Sequence, residues 1–250
     1  MSHINNLRNV DILKSKLDKR RPLDPAALKN LREVYRIEWT YNSNAIEGNT
    51  LSLLETKLVV EEGLTIGGKR FKEHLEAMNH VEAIEFVEDI VNRKEELNER
   101  VLKQIHHIVL KNIDDKNAGL YRKINVRISG SQHIPPEYPL VQDRMDELFN
   151  WYEKNKQLHP LELAAIFHHQ FVCIHPFADG NGRTARLLMN FILMSHGFPP
   201  AIVKATSESV LKYYTTLERA SVEKDRTPFI NFISGCVEES LENYLRAIGS

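Results

Sequence analysis

Cysteine is scarce. Cys173 and Cys236 are the two in the 250-residue chain, and each falls inside an apolar helical pattern. No disulfide framework can be built from such a pair, and a reducing, cytoplasmic compartment is the expected location. Chain breakers are scarce too. The 11 glycines and 10 prolines fall well below the roughly 12% of residues that the two usually supply together. Few breakers among many Leu, Glu, Lys and Ala point to a mostly helical chain. Neither sign of charge dominates: 33 Lys and Arg against 34 Asp and Glu leave a net charge of −1. That balance gives no footprint for nucleic acid or for an anionic membrane surface. The longest apolar run, LLMNFILM at 187–194, is far short of a membrane span. The first residues, MSHINNLRNVDILKSKL, show no apolar leader segment. There is no GxSxG, Walker A or GxGxxG pattern.

What is present is helical periodicity. It covers 4–20, 25–41, 52–63, 71–93, 97–113, 139–155, 160–174, 183–196, 207–222 and 228–247. Ser52 and Glu55 form a capping-box pattern. In 71–93, Phe71, Leu75, Met78, Val81, Ile84 and Phe86 recur at helical spacing. Residues 121–136 differ. Ile124, Val126 and Ile128 alternate with Asn125, Arg127 and Ser129, and the turn signal Ser129-Gly130-Ser131 follows. This is the one hairpin signal in the chain. The expected class is all-α, a helical bundle with a single β-hairpin.

The chemistry concentrates in IHPFADGNGRTAR, residues 174–186. His175 precedes a proline and is pushed out of helical geometry. Asp179-Gly180-Asn181-Gly182 makes a Gly-rich turn directly before a helix. The free N–H groups of such a helix start form an anion site. Arg183 and Arg186 lie three apart on one face of the first turn, where cations are unfavourable unless an anion is bound. His175 suits a general base, because imidazole titrates near neutral pH. Asp179 is a hard oxygen ligand for Mg²⁺. Asn181 and the Gly180 and Gly182 amides can hold phosphate oxygens. Arg183 and Arg186 supply bidentate donors to the outer phosphates. His168, His169, Cys173 and His175 do not read as zinc, because 168 and 169 diverge by about 100° on a helix. His106-His107, mid-helix, reads as structural.

The loop resembles the Fic family signature, H-x-F-x-D/E-G-N-G-R-x-x-R. The likeness extends to LYRKINVRISGSQHIPP, which is similar to the family's target-binding flap, and to SNAIEG at 43–48, which matches its inhibitory S/T-x-x-x-E-G/N pattern. The resemblance implies a Fic fold, with an N-terminal helical segment at 1–60 and a catalytic domain at 61–250. It implies transfer of AMP from ATP, with Mg²⁺ or Mn²⁺, to a Ser, Thr or Tyr hydroxyl of a target protein. His175 would be catalytic, Phe177 a buried anchor, and Tyr213 and Tyr214 the adenine wall. Ile124, Val126, Ile128, Ser129 and Gly130 would bind the target. Ser43 and Glu47, i and i+4, would be inhibitory, with Glu47 pairing Arg186. The same site could instead remove AMP, with Glu47 aligning water. The intact G-N-G-R argues against the phosphotransferase of the Doc branch. The habit of relatives leaves a homodimer open.

Overall fold

The computed structural model describes residues 2–249, with side chains from Leu7 onward except that of Ala27. Ten α-helices form among the described residues. They are α1 (Ser2–Asp18), α2 (Pro25–Ile46), α3 (Leu53–Glu62), α4 (Phe71–Asn92), α5 (Glu99–Leu110), α6 (Val141–Lys154), α7 (Pro160–Ile174), α8 (Asn181–Ser195), α9 (Ser207–Val222) and α10 (Thr227–Ala247). The capping box of Ser52 and Glu55 opens α3, and Gly63 closes it in the left-handed conformation.

The centre of the bundle is α8. Every residue from Arg183 to Leu193 on it is buried. A helix that is covered all round belongs in the interior, and α8 packs against α7, α4, α5 and α2. One apolar cluster runs from Val10 and Leu17 on α1, through Tyr35 and Trp39 on α2, to Leu241 and Leu245 on α10. α1 lies along α10, so the N-terminal helices share the core of the rest.

Two expectations are corrected. First, α2 continues five residues past its expected end at 41, through the polar run 42–44. Asn and Ser favour helix ends because they compete for backbone groups. Here tertiary partners occupy them instead: Asn42 Oδ1 accepts from Ala205 N (2.7 Å), Ser43 Oγ accepts from Arg186 Nε (3.0 Å), and Asn44 Nδ2 donates to the Glu76 carbonyl (3.2 Å).

Second, no β-strand forms among the described residues, so the hairpin is not one. Residues 121–137 make an irregular excursion. Its tip is a turn closed by Ser131 N to the Ile128 carbonyl (3.2 Å), with Gly130 at φ +77°. A ladder needs free backbone groups on both legs. Pro135 and Pro136 remove donors from the returning leg. Side chains take other groups: Arg122 binds the carbonyls of Ile124 (2.8 Å) and Pro136 (2.6 Å), and Asn125 Oδ1 accepts from Tyr138 N (2.8 Å).

On α4, which covers the expected helix at 71–93, Phe71 and Met78 are 71% and 52% exposed. The buried face of α4 is Ala77, Val81, Ile84 and Val87, with His74 and His80, because that face meets α2, α3, α5 and α8.

Candidate active site

The loop between α7 and α8 is braced at nearly every residue. His175 ends α7 in the left-handed conformation (φ 51°, ψ 58°), with its N–H on the Phe171 carbonyl (2.9 Å). That conformation is strained for a residue with a Cβ. Arg122 fixes it by donating Nε to the His175 carbonyl (2.9 Å), while its backbone N–H binds the Pro176 carbonyl (2.9 Å). Phe177 is fully buried, as an anchor must be, and stacks on His106 at 3.5 Å between ring centres. Asn181 clasps the Phe177 backbone from both sides, Oδ1 accepting its N–H (3.0 Å) and Nδ2 donating to its carbonyl (2.9 Å). The Asn181 side chain thus fixes the loop, and its second Nδ2 hydrogen and its backbone N–H are left for a ligand.

His106 braces the other side. Gly119 N donates to its Nδ1 (2.9 Å), so its proton sits on Nε2 and is donated to the Asp179 carbonyl (2.9 Å). Burial holds this ring neutral, with its pKa pushed down to about 4. Gly180 precedes α8 at φ +77°, where a Cβ would meet His106 Nε2 at 3.3 Å, and no side chain caps the helix. The start of α8 keeps its N–H groups for an anion.

A carboxylate lies beside that helix start. Glu47 accepts from Arg186 Nη2 at 2.7 Å, and a Cβ on Gly182 would meet Glu47 Oε1 at 2.1 Å. Glycine at 182 is required by this close approach. Arg186 also donates Nε to Ser43 Oγ (3.0 Å) and Nη2 to the Ser43 carbonyl (2.8 Å), so both expected members of the 43–48 segment meet it. The guanidinium is 3% exposed, and its Nη1 is buried with no hydrogen-bond partner. Burial works against its charge, and Glu47 and Tyr213 together more than offset this, raising its pKa. A buried guanidinium needs an anion beside it.

Asp179 stands 51% exposed. Its Oδ1 takes Gly180 N (2.6 Å), and its carboxylate lies 3.5 Å from Lys72 Nζ and 3.6 Å from Arg183. Desolvation opposes its charge, but Arg183, the Gly180 N–H and Lys72 together lower its pKa. No group of three or more metal-ligating side chains exists among the described residues. A single ionised carboxylate fits Mg²⁺ that draws its other ligands from phosphates and water. Arg183, 3% exposed, faces Glu76 (3.3 Å) and keeps Nε and Nη1 without hydrogen bonds.

A cavity of about 750 Å³ opens beside this loop. His175, Gly182, Arg186 and Glu47 line it, together with 127–133 of the flap and Tyr213 and Tyr214 of α9. Asp179, Gly180, Asn181 and Arg183 do not. Burial chiefly depresses the His175 pKa, and Arg122 adds to this; the Val172 carbonyl and Glu47 oppose it. Val172 is near without forming a well-shaped bond, since Nδ1 stays unpartnered. The imidazole is therefore neutral at pH 7. Tyr214 stands 46% exposed at the rim, whereas Tyr213 is buried with its hydroxyl on His168 Nε2 (2.9 Å). In the flap, Ile128, Ser129 and Gly130 face the cavity; Ile124, 60% exposed, and Val126 do not line it.

Residues 96–193 match the family model described as Fic/DOC family. A crystal structure of a Fic domain containing signaling protein from Bacteroides thetaiotaomicron superposes with a TM-score of 0.89 and 31% identity, covering 96% of each chain. The chain belongs to the Fic/DOC family. Fic-1 from C. elegans is also similar, with a TM-score of 0.86 and 35% identity over 98% of this chain and 72% of the other. The protein adenylyltransferase Fic of Nematostella vectensis is 37% identical over 242 residues, 94% of this chain and 55% of the relative. The chain thus spans about half the length of the curated relatives it matches.

Sequence reasoning missed Arg122, His80, Glu76 and Lys72, while His106 is structural, as expected. His80 is wholly buried, bonds Thr40 at 3.2 Å, and is kept neutral by burial and then by Arg186 and Arg183. Polar residues at buried positions of α4 and α5 were the available signal. No helix among the described residues is long and apolar enough to cross a membrane.

Proposed function

We propose that this chain transfers AMP from ATP to a hydroxyl of a target protein, releasing pyrophosphate, and that Glu47 restrains the reaction. The observation that carries this is the Glu47 carboxylate on Arg186 at 2.7 Å, seated against Gly182 in the cavity that His175 lines. An anion already occupies the Arg186 fork beside the helix start, where the outer phosphates of ATP belong.

The neutral His175 imidazole takes the proton of the target hydroxyl as its oxygen bonds to the α-phosphorus. The bond from that phosphorus to the bridging oxygen breaks, and its electron pair leaves with pyrophosphate. The free N–H groups of α8 and Arg186 face the charge on the leaving phosphates. Asp179 would hold Mg²⁺, which neutralises that charge. Tyr214 offers a face for adenine, and the 127–131 edge of the flap receives an extended target segment.

Removal of AMP is the second reading. Glu47 is favoured for it because its carboxylate is 33% exposed and lines the same cavity as His175, within reach of a water. Labelled ATP separates the readings. Label from the α-phosphate on protein supports transfer, γ-label indicates a kinase-like phosphotransferase, and AMP release from a modified protein supports removal. Protein carrying γ-label alone would overturn the proposal.

A further inference from the structure

The flap turn is fastened by one carboxylate on α9. Glu218 accepts Gln132 N at Oε1 (2.7 Å) and the Ser131 hydroxyl at Oε2. Ser131 Oγ accepts His133 N (3.0 Å), and His133 Nε2 faces the Cys173 carbonyl at 2.9 Å. A carbonyl only accepts, so His133 donates there. Cys173 lies two residues before His175 on α7. The tip is therefore tied both to α9 and to the helix that ends in His175. No ladder supports the flap, so these bonds set the position of its turn. A carboxylate that accepts both an N–H and an O–H makes charge-assisted bonds, stronger than neutral ones. Glu218 also stands one helical turn beyond Tyr214, so α9 carries the cavity rim and the flap fastening together.

We propose that Glu218 is a positioning residue for the protein substrate. It holds the turn at the height where a segment lying along the flap presents its hydroxyl to His175. This deepens the adenylyl-transfer reading and rests on it. Glu218 acts through the flap, and a displacement of about 1 Å at the reacting oxygen is enough to slow transfer strongly.

The exposed Lys123 and Arg127 give trypsin two sites in the flap. Glu218→Ala should speed cleavage there by roughly tenfold, the factor expected when a charge-assisted bond closing a loop is lost. Ser131→Ala should act in the same direction, and Glu218→Gln, which keeps an acceptor for Gln132 N, should fall between. In a Glu47→Gly background, Glu218→Ala should lower α-labelling of lysate proteins by about tenfold. Glu218 lines the same cavity but bonds only the flap turn, so calorimetric ATP affinity should stay within about twofold. Unchanged cleavage and unchanged labelling would overturn the proposal. So would faster cleavage with undiminished labelling, which would reduce Glu218 to a structural clasp. If Glu47→Gly protein labels nothing before Glu218 is altered, the transfer reading is what has failed, and the trypsin rates still decide whether Glu218 holds the flap.

Discussion

The loop at 175–186 and the flap at 121–137 border one cavity and are built on opposite plans. The loop is doubly braced and buried at Pro176, Phe177, Gly180 and Asn181, with Ala178 and Asp179 exposed. Phe177 sits between the His106 ring and the Asn181 clasp, and Arg122 and His106 hold the backbone at each end. The flap has an exposed leg at Ile124, no ladder, and fastenings at a few side chains. Groups that handle phosphorus and protons need fixed geometry. A surface that receives a protein segment needs an exposed edge of backbone.

The largest expected break in this contrast is His175→Ala. Transfer should fall by about 100- to 10,000-fold, the range for a lost general base. ATP binding should survive, because the phosphates are held elsewhere. A variant that labels at the parent rate in the α-label assay would remove His175 from the mechanism. Next in size is Phe177→Ala, which empties a fully buried site and should cost about 3–5 kcal/mol of stability by chemical denaturation. At the other extreme, Ile124→Ala on the flap should change stability by under about 0.5 kcal/mol. Similar losses at the two positions would erase the distinction.

Acid sharpens it further. Folded His106 has its pKa near 4, against about 6.5 when unfolded. Below pH 6.5 the unfolded chain binds the proton and the folded one does not, so this stability is intact above 6.5 and is lost as pH falls toward 4. The loss is about 3 kcal/mol at its limit. His106→Gln, read as denaturation midpoints at pH 7 and pH 4.5, should show a smaller acid loss than the parent. An equal loss would place the acid sensitivity in other groups, such as the buried His169, which titrates near 4 as well.

Much of this was legible. Helical spacing marked the ten helices to within a few residues, and GNGR before an apolar run marked the start of α8. The flap was misjudged as a hairpin because alternation at 124–128 signals an extended chain, not a paired one. Pairing depended on Pro135 and Pro136 opposite and on where Arg122 reached. The tail of α2 was hidden because Ala205, Arg186 and Glu76 are distant in sequence from the polar run that they occupy. The braces His106 and Arg122 carry no local pattern at all, since their roles depend on carbonyls about 50 to 70 residues away.

The central claim is that Glu47 holds the place of a phosphate. Removing it leaves the buried Arg186 fork short of an anion, a vacancy that costs the ligand-free protein and that a triphosphate fills. The direct measurement is α-labelled ATP with the parent and Glu47→Gly proteins, read as autolabelling and as lysate labelling. Transfer should rise by up to about 100-fold, more than ATP affinity does, because the gain lies in alignment of the α-phosphate. Equal labelling of the two proteins would contradict the account and leave 43–48 as the end of a helix.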